Sequence, residues 1–252
     1  MIDLSGRVAL ITGSARGIGR GCALEMAKAG ADIAVNYHTQ REAAEEVAAA
    51  VRTMGRKAVV IGADVAVRDQ VDAMVAETVE HLGRLDIAVC NAARSHRAPF
   101  LDLTVEQVRE TLNVTLWGVF HVAQASARQM VAREEGGAIL FISSVHAFLP
   151  VPESVPYNTA KAGINHMAST IANELSPHRI RVNVLEPGWI DTPGERKHAS
   201  EEELREKGKE LPWGRLGTIE DMGKAATYLC SDAADYVTGS VLRADGGFRY
   251  WL

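Results

Sequence analysis

Short, apolar, β-prone runs alternate along this sequence with longer stretches of helical spacing. Runs at Val8–Thr12, Ile33–Asn36, Ala58–Ile61, Asp86–Cys90, Ala138–Ile142, Ile180–Leu185 and near Ser240–Arg243 read as strands. Helical stretches lie at Ile18–Lys28, Arg41–Met54, Gln70–Leu82, roughly Thr104–Arg133, Tyr157–Leu175 and Glu220–Leu229, with Gly30, Gly55 and Gly83 closing the first three. Strands that are apolar on both faces need cover on both faces. In a repeated βα chain that means a parallel sheet between two helical layers. The expected fold is therefore α/β, a single doubly wound parallel sheet of seven strands. No linker or composition break divides the 252 residues, so 1–252 is read as one domain. The polar segment 189–213 reads as an inserted substrate lid, with a short helix near Glu201–Lys209 and Trp189 and Trp213 as anchors at its ends.

Composition excludes several function classes. A hydrophobic fraction of 47% supports a sizeable core. The formal net charge is −5 and no basic tract occurs, so no nucleic-acid partner is expected. Cys22, Cys90 and Cys230 are odd in number and far apart, which argues against a disulfide framework or a zinc site and fits a reducing cytoplasm. Cys90 reads as a small buried apolar residue. The opening MIDLSGRVALITG lacks a signal-type apolar core, and no apolar run is long enough for a membrane span.

Between the first strand and the first helix lies Thr12-Gly13-Ser14-Ala15-Arg16-Gly17-Ile18-Gly19, with the spacing GxxxGxG. Glycines here permit a tight turn and let a pyrophosphate approach the helix N-terminus, where unpaired N–H groups and the dipole favour anions. Further motifs follow in order. They are Asp64-Val65 after strand three, Asn91-Ala92-Ala93 after strand four, Asn113 in the long helix and Ser144 at the end of strand five. Tyr157-x-x-x-Lys161 and Pro187-Gly188 with Ile190 and Thr192 complete the series. Over essentially its whole length the chain resembles the short-chain dehydrogenase/reductase family, whose sheet is of the Rossmann type.

That resemblance implies a nicotinamide cofactor held by Gly13, Ser14, Arg16, Gly17, Ile18, Gly19, Tyr37, His38, Asp64, Val65, Asn91, Ala92, Ala93, Tyr157, Lys161, Pro187, Gly188, Ile190 and Thr192. It also implies a catalytic set of Asn113, Ser144, Tyr157 and Lys161, with Asn113 anchoring a water that links Lys161 to solvent. Ala93 departs from the family's usual glycine. Tyr157 and Lys161, at i and i+4, share a helix face. A free tyrosine has a pKa of about 10. A neighbouring ammonium and an oxidised nicotinamide should lower it, so that Tyr157 takes the alcohol proton as hydride leaves, with Ser144 holding the substrate oxygen.

An acidic residue after strand two usually marks NAD preference. Here the sequence is Val35-Asn36-Tyr37-His38. With no carboxylate to repel a 2′-phosphate, and Arg16 and His38 available to meet one, NADP(H) is favoured and NAD(H) remains possible.

For substrate, Ser144-Val145-His146 resembles bacterial glucose 1-dehydrogenases. His146, Trp189, Ser144 and Tyr157 are the candidate substrate contacts. Leu149, Pro150, Val151, Pro152 and Val155 form an apolar wall, with Glu153 as its charge. A small-molecule substrate, a sugar or another hydroxylated compound, is expected. The alternative is a 3-oxoacyl-acyl-carrier-protein reductase. Glu134 and Glu135 argue against an acidic carrier, whereas His178, Arg179 and Arg181 keep a basic patch. A non-catalytic cofactor-binding regulator is the more distant alternative. The C-terminal aromatics Phe248, Tyr250 and Trp251 suggest packing on the chain's own core or on a neighbouring subunit, and the family implies a homotetramer or homodimer.

Overall fold

The computed structural model describes residues 2–197 and 200–250. Trp251 lies outside the described residues. One parallel sheet carries β1 (Val8–Ile11), β2 (Asp32–Tyr37), β3 (Ala58–Gly62), β4 (Ile87–Cys90), β5 (Gly137–Ile142), β6 (Ile180–Pro187) and β7 (Val241–Ala244). Their order is β3-β2-β1-β4-β5-β6-β7. The chain winds outward from β1 in one direction, then returns through β4 and winds in the other. The β1/β4 boundary is thus the switch point, where a crevice opens beyond the carboxyl ends of the strands.

Strand alternation divides the core in two. Ala9 and Ile11 face one apolar cluster with residues of α1 (Gly17–Lys28), α2 (Arg41–Thr53) and α8 (Ile219–Cys230). Leu10, between them, faces the other, with α3 (Arg68–Leu82), α5 (Gly118–Arg133) and α6 (Val155–Leu175). All three β1 residues are fully buried, which is why the strand reads as an unbroken apolar run. Cys90 is buried in the second cluster, and burial pushes its thiol pKa up.

Two elements differ from expectation. The long helix is not continuous. α4 (Val105–Leu112), capped by Thr104 and Gln107, passes into a π turn at Asn113–Trp117 before α5. One wide turn leaves side-chain spacing almost unchanged, so periodicity does not reveal it. α6 begins two residues early, with Pro156 in its first turn, where a missing N–H costs nothing. In the 189–213 segment, α7 (Glu201–Glu210) has a capping box between Ser200 and Glu203.

Candidate active site

The glycine loop is built by hydrogen bonds from its neighbours. Thr12 Oγ1 accepts from the amides of Asn91 (2.9 Å) and Ala92 (3.1 Å), and Asn91 Nδ2 donates to Thr12 O at 2.8 Å. Buried Asn36 accepts from Gly13 N–H at 3.0 Å and donates to Ile61 O and Ala63 O at 3.3 and 3.2 Å. One side chain thus fixes the loop to the ends of β2 and β3. A strand-end asparagine gives no sign in the sequence of these partners, which lie on other strands. Ser14 spends its hydroxyl inside the protein, donating to Ile11 O at 2.8 Å and accepting from Asn36 N–H at 3.1 Å.

The cradle is shaped for a close-lying anion. Gly13 adopts φ +63°, open to glycine without strain. A Cβ on Gly19 would lie 2.6 Å from both Asn91 Nδ2 and Gly13 O. Arg16, at the N-cap of α1, provides no side-chain cap, and no acid lies in the first turn, so the leading amides and the positive dipole end are available. Thr192 approaches from the other side, with its methyl 3.9 Å from where a Gly17 Cβ would stand. These features fit a dinucleotide pyrophosphate.

Around the cradle, Tyr37 turns its hydroxyl over Gly62, where a Cβ would lie 2.9 Å from it. His38 Nε2 stands 3.8 Å from Asp64 Oδ2, which brings together two residues that are distant in sequence. Val65 is buried, and Ala93 is exposed. Gly188 abuts Asp245, Ile190 is buried, and Ile190 bridges to Gly217. Pro187 ends β6.

At the carboxyl end of β5, Ser144 caps a short 3-10 turn (Val145–Ala147) and hydrogen-bonds the Tyr157 phenol, favouring the phenolate. Buried Lys161 donates from Nζ to Ile142 O at 2.6 Å, with Nζ 5.3 Å from the Tyr157 ring centroid. Asn113 is exposed and opens the π turn, which packs on α6 through Leu116, 3.3 Å from where a Gly163 Cβ would be. Burial pushes Tyr157 up to about 12 and Lys161 down to about 7. Both groups lose water, and desolvation penalises the charged form of each.

Beside Tyr157 lie the loop after β5 and the 189–213 segment. His146 stands edge-on to Tyr157 at 5.3 Å, and its Nδ1 lies 2.8 Å from Asn158 Oδ1. Trp189 donates from Nε1 to Glu195 Oε2 at 3.0 Å and meets Phe248 edge-on at 6.5 Å. Glu195 and Arg97 both lie close enough for their charges to act on Tyr157 and His146, and neither was named as a site residue. Trp213 is 70% exposed. Leu204, Leu211 and Leu216 form a small buried cluster against Trp189 and Phe248.

The sequence model of a family described as Enoyl-(Acyl carrier protein) reductase matches residues 13–249. The chain is 37% identical to an L-rhamnose 1-dehydrogenase (NAD(P)(+)) of Sphingomonas sp., covering 97% of this chain and 96% of that one. It is 35% identical to glucose 1-dehydrogenase 2 of Bacillus subtilis, covering 99% and 97%. A gluconate 5-dehydrogenase from Burkholderia cenocepacia, solved in complex with NADP and tartrate, superposes with a TM-score of 0.90 at 36% identity, covering 98% and 97%. The chain belongs to the short-chain dehydrogenase/reductase family.

Within this short-chain dehydrogenase/reductase, the charges weighed for a carrier lie at the wrong edge. Glu134 and Glu135 precede β5, and His178, Arg179 and Arg181 open β6, so both groups sit at the amino ends of the strands, opposite Tyr157. They are also engaged in the fold. Glu135 pairs with Arg84 at 2.9 Å, and Arg181 donates to Leu229 O at 2.6 Å. Neither patch bears on docking at the site mouth. Among the described residues no acid, histidine or cysteine cluster could hold a metal, and no helix is long and apolar enough to cross a membrane.

Proposed function

We propose that this short-chain dehydrogenase/reductase is an NAD(P)(H)-dependent oxidoreductase acting between a secondary alcohol and its carbonyl on a small hydroxylated substrate, a sugar being the leading class. The observation that carries this reading is the Tyr157 phenol, hydrogen-bonded by Ser144 and set above buried Lys161, at the carboxyl end of β5 beside the glycine cradle. The sugar and NADP words in the names of its relatives support the substrate and cofactor classes.

The nicotinamide, when bound, supplies the hydride acceptor or donor. Residues that would hold the dinucleotide are the α1 amides at Gly17–Gly19 for its pyrophosphate, Asp64 and Val65 beyond β3, Asn91–Ala93 beyond β4, and Pro187–Thr192 beyond β6. Arg16, with no acid at the end of β2, favours a 2′-phosphate and thus NADP(H). Ser144 orients the substrate oxygen. Tyr157 moves the proton at that oxygen. A phenol held up near 12 stays protonated at neutral pH and so holds the proton that a carbonyl would take. To accept a proton from an alcohol it needs positive charge close by, which Lys161 supplies when protonated. Asn113, at the π turn against α6, is assigned the link from Lys161 to solvent.

Tyr157→Phe tests the assignment. Turnover should fall by about three orders of magnitude while cofactor affinity, measured by fluorescence titration, stays within a few-fold. Undiminished turnover sinks the role. For the cofactor, kcat/KM should be higher with NADP(H) than with NAD(H), and Arg16→Ala should erode that preference. A strong NAD preference in the unaltered chain refutes it. Three free, buried cysteines support a cytoplasmic setting. Phe100 and Leu101, 71% and 91% exposed, support assembly into a homodimer or homotetramer, measurable by light scattering.

A further inference from the structure

We propose that Asn158 fixes His146 as a hydrogen-bond acceptor facing the substrate, so that the site selects alcohols carrying a second hydroxyl beside the reacting one. The inference rests on the oxidoreductase reading and adds to it a substrate class and a positioning residue.

The polarity follows from one carbonyl. Asn158 follows Tyr157 on α6, and its side-chain amide spans two groups of the loop after β5. Its Nδ2 donates to Val151 O at 2.9 Å. A backbone carbonyl can only accept, so the amide nitrogen must face Val151 and the amide oxygen must face His146. That oxygen, 2.8 Å from His146 Nδ1, can also only accept, so Nδ1 carries the proton. Burial pushes the imidazole pKa down and keeps the ring neutral at physiological pH. A neutral ring protonated at Nδ1 has a lone pair at Nε2, and Nε2 has no hydrogen-bond partner among the described residues.

The ring stands edge-on to Tyr157 at 5.3 Å, which places it against the phenol that handles the substrate oxygen in this reading. A substrate whose reacting oxygen lies on Tyr157 and Ser144 places its neighbouring carbon toward His146. A hydroxyl there can donate to Nε2, whereas a hydrogen, ether or carbonyl cannot. Of the charged groups around the ring, Arg97 from the loop after β4 and Lys161 from α6 oppose its protonation, and Glu195 from the lid favours it. Burial, the largest influence, acts with the first two and outweighs Glu195 and the Asn158 hydrogen bond.

The test compares kcat/KM for a vicinal butanediol and the matching secondary butanol with NADP+. The unaltered enzyme should favour the diol by at least about tenfold, the scale of one buried hydrogen bond. His146→Leu and Asn158→Leu should bring the ratio toward one, chiefly through KM of the diol. Nitrogen NMR of the histidine rings reads the tautomer without turnover. His146 should be protonated at Nδ1, and Asn158→Leu should remove that bias. Equal use of diol and mono-alcohol by the unaltered enzyme, or a proton on Nε2 in its neutral state, overturns the proposal. Failure to oxidise either alcohol, with the tautomer as expected, counts against the reaction and not against the Asn158–His146 geometry.

Discussion

Lys161 illustrates what a single buried residue costs and gives. Its pKa falls from 10.5 to about 7, with burial as the cause. Below about 7 it is protonated in both folded and unfolded states, and the folded state bears the full cost of burying the charge. Between about 7 and 10.5 the unfolded chain binds more protons, so stability rises with pH across that window. Tyr157 has the opposite sign at higher pH. Raised from 10 to about 12, it makes stability fall with pH between those values. Lys161→Met should therefore be inactive yet more resistant to denaturant than the unaltered chain below pH 7, with a flatter rise of stability from there toward pH 10. Urea midpoints across that range measure this, and a less stable variant below pH 7 would contradict the account. YxxxK was legible in the sequence as a shared helix face. The direction of the two pKa shifts was not, because it depends on how much water the tertiary structure leaves to each group.

At the scale of elements, the βα unit after β1 is a joint between three strands. Thr12, Asn36 and Asn91 tie the glycine loop to β4, β2 and β3. Gly19→Ala would set a methyl 2.6 Å from Asn91 Nδ2 and Gly13 O, one of them backbone and the other pinned by Thr12. Relief requires α1 to move off β4. The expected result is a loss of about 1–3 kcal/mol of stability and a cofactor affinity weakened by about tenfold or more. Calorimetric titration and thermal melts check both, and wild-type affinity in this variant would show that the close approach is not what shapes the cradle. GxxxGxG pointed to this loop. The partners that hold it come from strands many residues away and could not be read from it. The π turn at Asn113–Trp117 is another such case, since a single widened turn leaves the helical pattern intact.

Over the whole molecule, the 189–213 segment is tied down by residues after β7. Phe248 meets Trp189, the Leu204, Leu211 and Leu216 cluster packs against both, and Arg243 and Arg249 stack on Phe148 at 4.2 and 5.1 Å. The tail after β7 thus touches the 189–213 segment and the loop that bears His146. Removing the chain from Phe248 onward should raise substrate KM several-fold and hasten proteolysis within α7, while the sheet and the cofactor cradle persist. Unchanged KM together with unchanged cleavage would detach the tail from the site.

The sequence by itself determined the parallel sheet between two helical layers, because strands apolar on both faces have no other stable environment. It also determined the order of the motifs along the chain, because each βα turn returns to the same edge of such a sheet. Tertiary structure alone decided the rest. The tautomer of His146 is set by an amide that must face a carbonyl, and Glu195 is brought to the site mouth by an indole. The charges before β5 and at the start of β6 are carried to the far edge. Long-range hydrogen bonds and burial fix these features, and both depend on atoms that no local stretch of sequence contains.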